Sequence, residues 1–295
     1  MSLATLPPPL PSLLAGAIDY AGLFPPAALG MAEAVANYAA YRESEDRAAL
    51  GRFIVPAGRL EECLDEVARL GGTGWRFSIT LGADPVGELV RLVETASGAQ
   101  AQGHAVDSYE ARVTSPAEVD RLARAVAGRG QWYGEVAPGE PFVAILDAIG
   151  QHGGRAKLRM GGVTPEAFPE AGVVARFLVA LAVRRLPFKA TAGLHHPVRG
   201  TYRLTYRPDG PVGLMYGFLN LLVAIGLAQA GAPVGDVEQA LLETNPARLV
   251  TADGPGWAGR RFDAEALAGI RRQFDGFGSC SFREPMDELP PAISR

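Results

Sequence analysis

Short apolar runs alternate with longer helical patterns along most of the chain, and this alternation restricts the fold more than any other feature. "GAIDYAG" (16–22) has the length and composition of a strand and precedes the helical "MAEAVANYAAYRES"; "GRFIVPA" (51–57) precedes "RLEECLDEVARL". "WRFSITLG" (75–82) leads into "DPVGELVRLVETA". "HAVDSYEARV" (104–113) leads into "SPAEVDRLARAVAG", where Ser115 is the expected N-cap, Pro116 the first helical residue and Glu118 the partner in a capping box. "QWYGEVAP", "RAKLRMGG" and "PFKATAG", each with an apolar helical segment behind it, bring the count to seven units. The eighth strand is either "ARLVTAD" (247–253) or "FDGFGSCSF" (274–282). Each parallel return needs a crossover connection, so repeated βα units predict a parallel sheet, and seven or eight of them predict closure.

The expected fold is therefore α/β, a single-domain (β/α)8 TIM-like barrel over residues 1–295. It has a Pro-rich leader at 1–13 and an irregular insert at 198–212 after strand seven. The open doubly wound alternative is weakened by the lack of a G-x-G-x-x-G after the first strand and of a G-x-x-x-x-G-K-[ST] anywhere. Hydrophobic residues at 48% and charged ones at 20% predict order nearly throughout. A formal charge of -4 argues against nucleic acid as a partner. The apolar stretch 213–231 carries Asn220 and interior glycines, so it predicts a buried helix and no membrane partner. "MSLATLPPPLPSLL" lacks the charged start of a signal peptide and reads as an extended leader. Two distant cysteines form neither a disulfide framework nor a zinc site, which fits a cytoplasmic location; Cys63 is expected to fill core.

Barrel active sites form at the carboxyl ends of the strands, so late polar residues carry the chemistry. Asp19 and Tyr20 end strand one, Asp107 and Glu110 lie in strand four and Glu135 in strand five. Lys157 and Arg159 lie in strand six, and Lys189 and Thr191 in strand seven, followed by His195 and His196. A period of two puts Lys157 with Arg159, Lys189 with Thr191 and Tyr133 with Glu135 on common sides of their strands. A lysine in an apolar strand must snorkel, pair with a carboxylate or serve chemistry. Two of them on neighbouring strands predict repulsion and desolvation that lower at least one pKa, giving an amine able to form a Schiff base, with Glu135 or Asp19 moving protons. The competing expectation is that both lysines pair with carboxylates and brace the barrel.

"YGEVAP", "AKLRMGG" and "FKATAG" resemble strands five to seven of class I (Schiff-base) aldolases of the deoxyribose-phosphate aldolase type. The resemblance implies Lys157 as nucleophile, Lys189 as perturbing cation and Glu135 as part of an acidic surround. "FGSCSF" is similar to that family's small-residue phosphate loop, which puts Ser279 and Cys280 on the substrate side. The sequence departs from the family at Arg159 and Met160 in strand six and at "GLHHPVR" after strand seven. From the residues alone, Lys189 and Lys157 both stay open as the nucleophile.

His195 and His196 suit acid–base work or, with Glu135, Asp19 and Asp107, a divalent metal; the plainer expectation is loop histidines in local hydrogen bonds. Arg159 and Arg199 beside the lysines predict a cationic mouth and a small anionic substrate. Asp19 and Tyr20 could line the same pocket. The function expected is an aldolase-like lyase acting on a small anionic carbonyl compound without a cofactor, a strand lysine serving as Schiff-base nucleophile or electrostatic clamp. The alternatives are a metal-assisted hydrolase or isomerase and a non-catalytic oligomeric scaffold. In either enzyme the 198–212 insert is expected as a lid or as a homo-oligomer contact.

Overall fold

The computed structural model describes residue 6 and residues 8–137, 139, 141–251 and 254–293. Eight parallel strands close into a barrel. They are β1 (Ile18–Tyr20), β2 (Leu50–Pro56), β3 (Arg76–Thr80), β4 (Ala105–Arg112), β5 (Gln131–Val136), β6 (Arg155–Arg159), β7 (Phe188–Thr191) and β8 (Phe274–Ser279). They pair in chain order, and β8 closes the ring between β7 and β1. The eighth strand is thus the "FDGFGSCSF" segment. Val250–Thr251 instead pairs antiparallel with Gly254–Trp257 outside the ring, and residues 252–253 of the competing segment lie outside the described residues. So do residues 1–5 and 7 of the expected leader. The rest of that leader is not extended, because Leu10–Leu14 forms a short helix with Leu10, Leu13 and Leu14 buried.

Local signals explain several boundaries. The helix Pro116–Val126 starts where expected, with Ser115 Oγ accepting from the Glu118 amide at 3.3 Å. Glu118 does not close the box on Ser115: its Oε2 accepts from the amide of Thr114 at 2.7 Å, one residue earlier. The helix Phe218–Gln229 is buried from Phe218 to Ala228. Asn220 fits there because it accepts from the Arg199 amide at 2.8 Å and donates to the carbonyls of Ala240 and Glu243. Among the described residues no helix is long and apolar enough to cross a membrane.

The apolar core lies between the ring and its helices. Phe53, Phe77, Tyr109, Trp132 and Leu158 are buried in it, alternating along their strands with residues that face the barrel axis. The axis itself is polar, although barrels of this kind are usually filled by branched aliphatic layers. Toward the amino-terminal end, Arg52 Nε meets Asp107 Oδ1 at 2.6 Å and Arg155 Nη1 meets Asp275 Oδ1 at 2.6 Å. Tyr133 donates its hydroxyl to Asp275 Oδ2 at 2.9 Å. Each of these five groups comes from a different strand, and Tyr133 and Arg155 are register partners on β5 and β6.

Gly276 is required where β8 meets the start of β1. Its φ is +145°, and a Cβ there would stand 2.2 Å from the carbonyl oxygen of Ala17. Replacing Gly276 with alanine is expected to cost at least ~1–3 kcal/mol from backbone conformation alone. A drop in thermal midpoint checks it; an unchanged midpoint would mean the β1–β8 junction can shift freely.

Candidate active site

The carboxyl ends of the strands surround a cavity of about 370 Å³. Ile54 of β2, Thr80 of β3, Glu135 of β5, Lys157 and Arg159 of β6 and Thr191 of β7 all line it. After β7 the chain must turn sharply. Ala192 and Gly193 both adopt left-handed backbone, at φ 60° and 69°, and a Cβ on Gly193 would stand 2.6 Å from the ring of Phe168. This turn lines the cavity wall and delivers His195 to the rim, opposite Cys280 just past β8.

The 198–212 insert becomes an antiparallel hairpin of Gly200–Arg203 with Val212–Met215. Leu204 and Met215 from it complete the cavity lining.

At the floor of the cavity, two lysines and three carboxylates form one network, of which Glu110, Glu135 and Lys157 line the cavity itself. Lys157 and Lys189 are register partners on adjacent strands. Lys189 Nζ lies 2.5 Å from Asp19 Oδ2 and 2.8 Å from Glu110 Oε1, with the Tyr133 ring centroid at 5.2 Å. Lys157 Nζ lies 2.7 Å from Glu135 Oε2 and 3.0 Å from Glu110 Oε2. Glu110 therefore gives one oxygen to each ammonium. Its Oε2 has the ion-pair distance without the alignment of a hydrogen bond, whereas its Oε1 also accepts from Ser78 Oγ at 2.5 Å. Asp19 is fixed by a second bond, from the Arg52 amide to Oδ1 at 2.6 Å.

This arrangement reverses the expected amine titration. Burial alone favours neutral lysines, but Glu110 and Glu135 around Lys157, and Asp19 and Glu110 around Lys189, outweigh it and raise both pKa values. Burial favours a protonated Glu110, yet the two ammoniums hold its pKa well below the ordinary carboxylate range. The repulsion anticipated between the lysines is neutralised by the carboxylate between them. Both lysines pair with carboxylates, and the raised pKa values favour their ammonium forms.

At the rim, His195 Nδ1 lies 2.8 Å from Glu284 Oε2, to which Tyr206 of the hairpin also donates, at 2.9 Å. Cys280 Sγ sits 3.8 Å from His195 Nε2 and 3.9 Å from Nδ1. Burial opposes a charged His195, but Cys280 and Glu284 overcome it and push its pKa up to about 10. An NMR titration of the four histidines should show His195 changing near that value. Glu284→Gln should return it toward 6.5, its ordinary value. An unmoved His195 in that variant would deny Glu284 its part.

Of the residues singled out from sequence, Glu110, Glu135, Lys157, Arg159, Thr191, His195 and Cys280 share the cavity wall, and Asp19 and Lys189 sit in the network below. Tyr20 does not join them: it is buried behind β1 against Tyr38, Tyr41 and Phe53. Ser279 donates its hydroxyl to the Ser281 carbonyl at 2.6 Å instead of facing the cavity. Arg199 lies over the Tyr216 ring at 5.1 Å. His196 stacks on Tyr202 with centroids 3.5 Å apart and binds Glu288 at 2.7 Å, and burial lowers its pKa. The metal set of histidines with Glu135, Asp19 and Asp107 does not assemble, since Asp107 is engaged by Arg52 and Arg76. Among the described residues no group of three His, Cys, Asp or Glu side chains is placed to hold a metal ion.

Sequence reasoning missed the bridging role of Glu110 and the whole contribution of Glu284, Tyr206 and Ser78. Glu110 had a signal, an acid on the same side of its strand as Ser108. Glu284 and Tyr206 had none, because their partners lie 89 and 74 residues away in sequence.

A closed parallel barrel with a charged cavity at the carboxyl ends of its strands is the architecture on which barrel enzymes build their active sites. Comparison of the chain with protein-family models, curated proteins and solved structures gives no match.

Proposed function

We propose that the chain is an enzyme of the lyase class acting on a small anionic carbonyl compound, with Lys157 as the amine that meets the carbonyl carbon. One observation carries the reading: Lys157 is the lysine of the pair that lines the cavity, and Glu135, 2.7 Å from its Nζ, lines it too. Arg159, 53% exposed at its side chain, offers a guanidinium to a carboxylate or phosphate on the same substrate. The aldolase resemblance of strands five to seven supports the same choice of lysine.

In this reading Glu135 first accepts a proton from the Lys157 ammonium. The freed lone pair forms the C–N bond, and the carbonyl π pair moves to oxygen. That oxygen takes one proton from nitrogen and one from Glu135 and leaves as water, so that Glu135 returns to carboxylate and an iminium remains. The iminium then accepts the electron pair of a breaking carbon–carbon bond while Glu135 takes the proton of the β-hydroxyl, whose oxygen becomes the carbonyl of the departing fragment. Lys189 stays beneath as a fixed cation that keeps Glu110 charged.

The raised lysine pKa values favour a second reading, in which Lys157 remains an ammonium that polarises the carbonyl oxygen while Glu135 removes a neighbouring C–H proton. Borohydride reduction in the presence of glyoxylate, pyruvate and small aldehydes separates the two. A reduced adduct on the Lys157 peptide, absent in Lys157→Met, is the expected result. No adduct, with exchange of pyruvate methyl hydrogens into deuterated solvent, would select the second reading; neither signal would overturn both.

A further inference from the structure

The lysine chemistry leaves the cavity's other wall unused, and that wall holds a thiol, an imidazole and a carboxylate in sequence. Cys280 comes just after β8, His195 from the loop after β7 and Glu284 from the helix Arg283–Ile293. Cys280 and His195 both line the cavity. The sulfur lies almost equally far from both ring nitrogens, 3.9 Å from Nδ1 and 3.8 Å from Nε2, but Nδ1 is committed to Glu284 Oε2 at 2.8 Å, which leaves Nε2 as the nitrogen open to the sulfur. Nucleophile, base and orienting acid in this order are the arrangement that activates cysteine, and such contacts are commonly long before a substrate is present. Tyr206 holds the far side, donating to Glu284 at 2.9 Å with its oxygen 3.5 Å from Sγ. Tyr20 and Tyr41 are the other titratable groups near the sulfur.

We propose that Cys280 is a nucleophile for small carbonyl electrophiles, with His195 as the imidazolium that pairs with the sulfur and gives up its proton, and Glu284 as the residue that positions the imidazole. In the resting pair the thiol proton is already on His195 Nε2, in keeping with an imidazole that stays charged past neutral pH. The sulfur lone pair forms a C–S bond to the carbonyl carbon as the π pair moves to oxygen, and the same proton passes from His195 to that oxygen. The product is a hemithioacetal, reached with no change of oxidation state. The proposal does not depend on imine formation at Lys157, since the two covalent products lie on different peptides and either can fail alone.

The chain carries its own control. Cys63 is fully buried in the helix Leu60–Arg69, and burial pushes its thiol up to about 12. Near neutral pH, iodoacetamide should alkylate Cys280 about tenfold faster than N-acetylcysteine and leave Cys63 untouched, because the thiolate is the reacting form. Glyoxylate should slow that labelling. His195→Asn and Glu284→Gln should each slow it by about tenfold, and Glu284→Gln should at the same time move the His195 titration, which a purely structural carboxylate would not do. Labelling of Cys63 in a variant would report unfolding, and the wild-type rate then decides. A wild-type Cys280 rate at or below that of N-acetylcysteine, or folded variants that label as fast as wild type, would overturn the proposal.

Discussion

Replacing Glu110 with glutamine is expected to lower the unfolding free energy by about 3–5 kcal/mol, the range for breaking a buried charge pair from one side. The carboxylate is 1% exposed and divides its oxygens between two ammoniums. Without it, Lys157 and Lys189 keep one carboxylate each and face one another uncompensated. Glu135→Gln, at the 20% exposed edge of the same network, should cost distinctly less. Urea denaturation followed by circular dichroism measures both; equal losses would mean that burial does not set the cost. Pairing Glu110→Gln with Lys189→Met should recover part of the loss, because one uncompensated cation is gone.

The same network fixes how stability changes with pH. Glu110 has a folded pKa below its ordinary 4.5, so its contribution is present above that value and is lost as acid carries the solution through the folded pKa. Lys157 and Lys189 lie above their ordinary 10.5, so theirs is complete below that value and is lost at more alkaline pH. His195 adds a contribution complete below 6.5 that is lost as the pH rises through about 10.

The largest effect on activity is expected at Lys157. Lys157→Met should abolish the borohydride adduct and any carbonyl turnover, while Glu135→Gln should retain binding and lose about 10²- to 10⁴-fold in rate, as for a displaced acid–base group. Because the amine starts as a paired ammonium, trapping by the wild type should accelerate with pH into the alkaline range instead of levelling near neutrality. Turnover retained in Lys157→Met would remove this lysine from the chemistry.

How much of this was legible in the sequence depends on the distance over which each signal acts. The strands, their period-two faces and the inward course of Lys157, Arg159, Lys189 and Glu135 follow from local pattern and are found as expected. The charge state of Lys189 was not legible, because it is governed by Asp19 and Glu110, which lie 170 and 79 residues away. Tyr20 was misplaced for a related reason. A tyrosine ending a strand can face either side, and here helix Met31–Glu43 supplies Tyr38 and Tyr41 to receive it. The short β1, three residues long, offers too little alternation to decide the matter from sequence.

The charged barrel axis also bears on how the chain reaches its native state during synthesis. An aliphatic axis could collapse piecemeal as strands leave the ribosome, whereas here Asp19 is made early and must wait for Lys189, and the ring cannot close until residues 274–279 are available to join β7 to β1. Half-made chains therefore hold charges without counter-charges and a sheet with two open edges, so productive folding is a late, all-at-once event, and nascent fragments ending before β8 should be the species that chaperones and proteases meet.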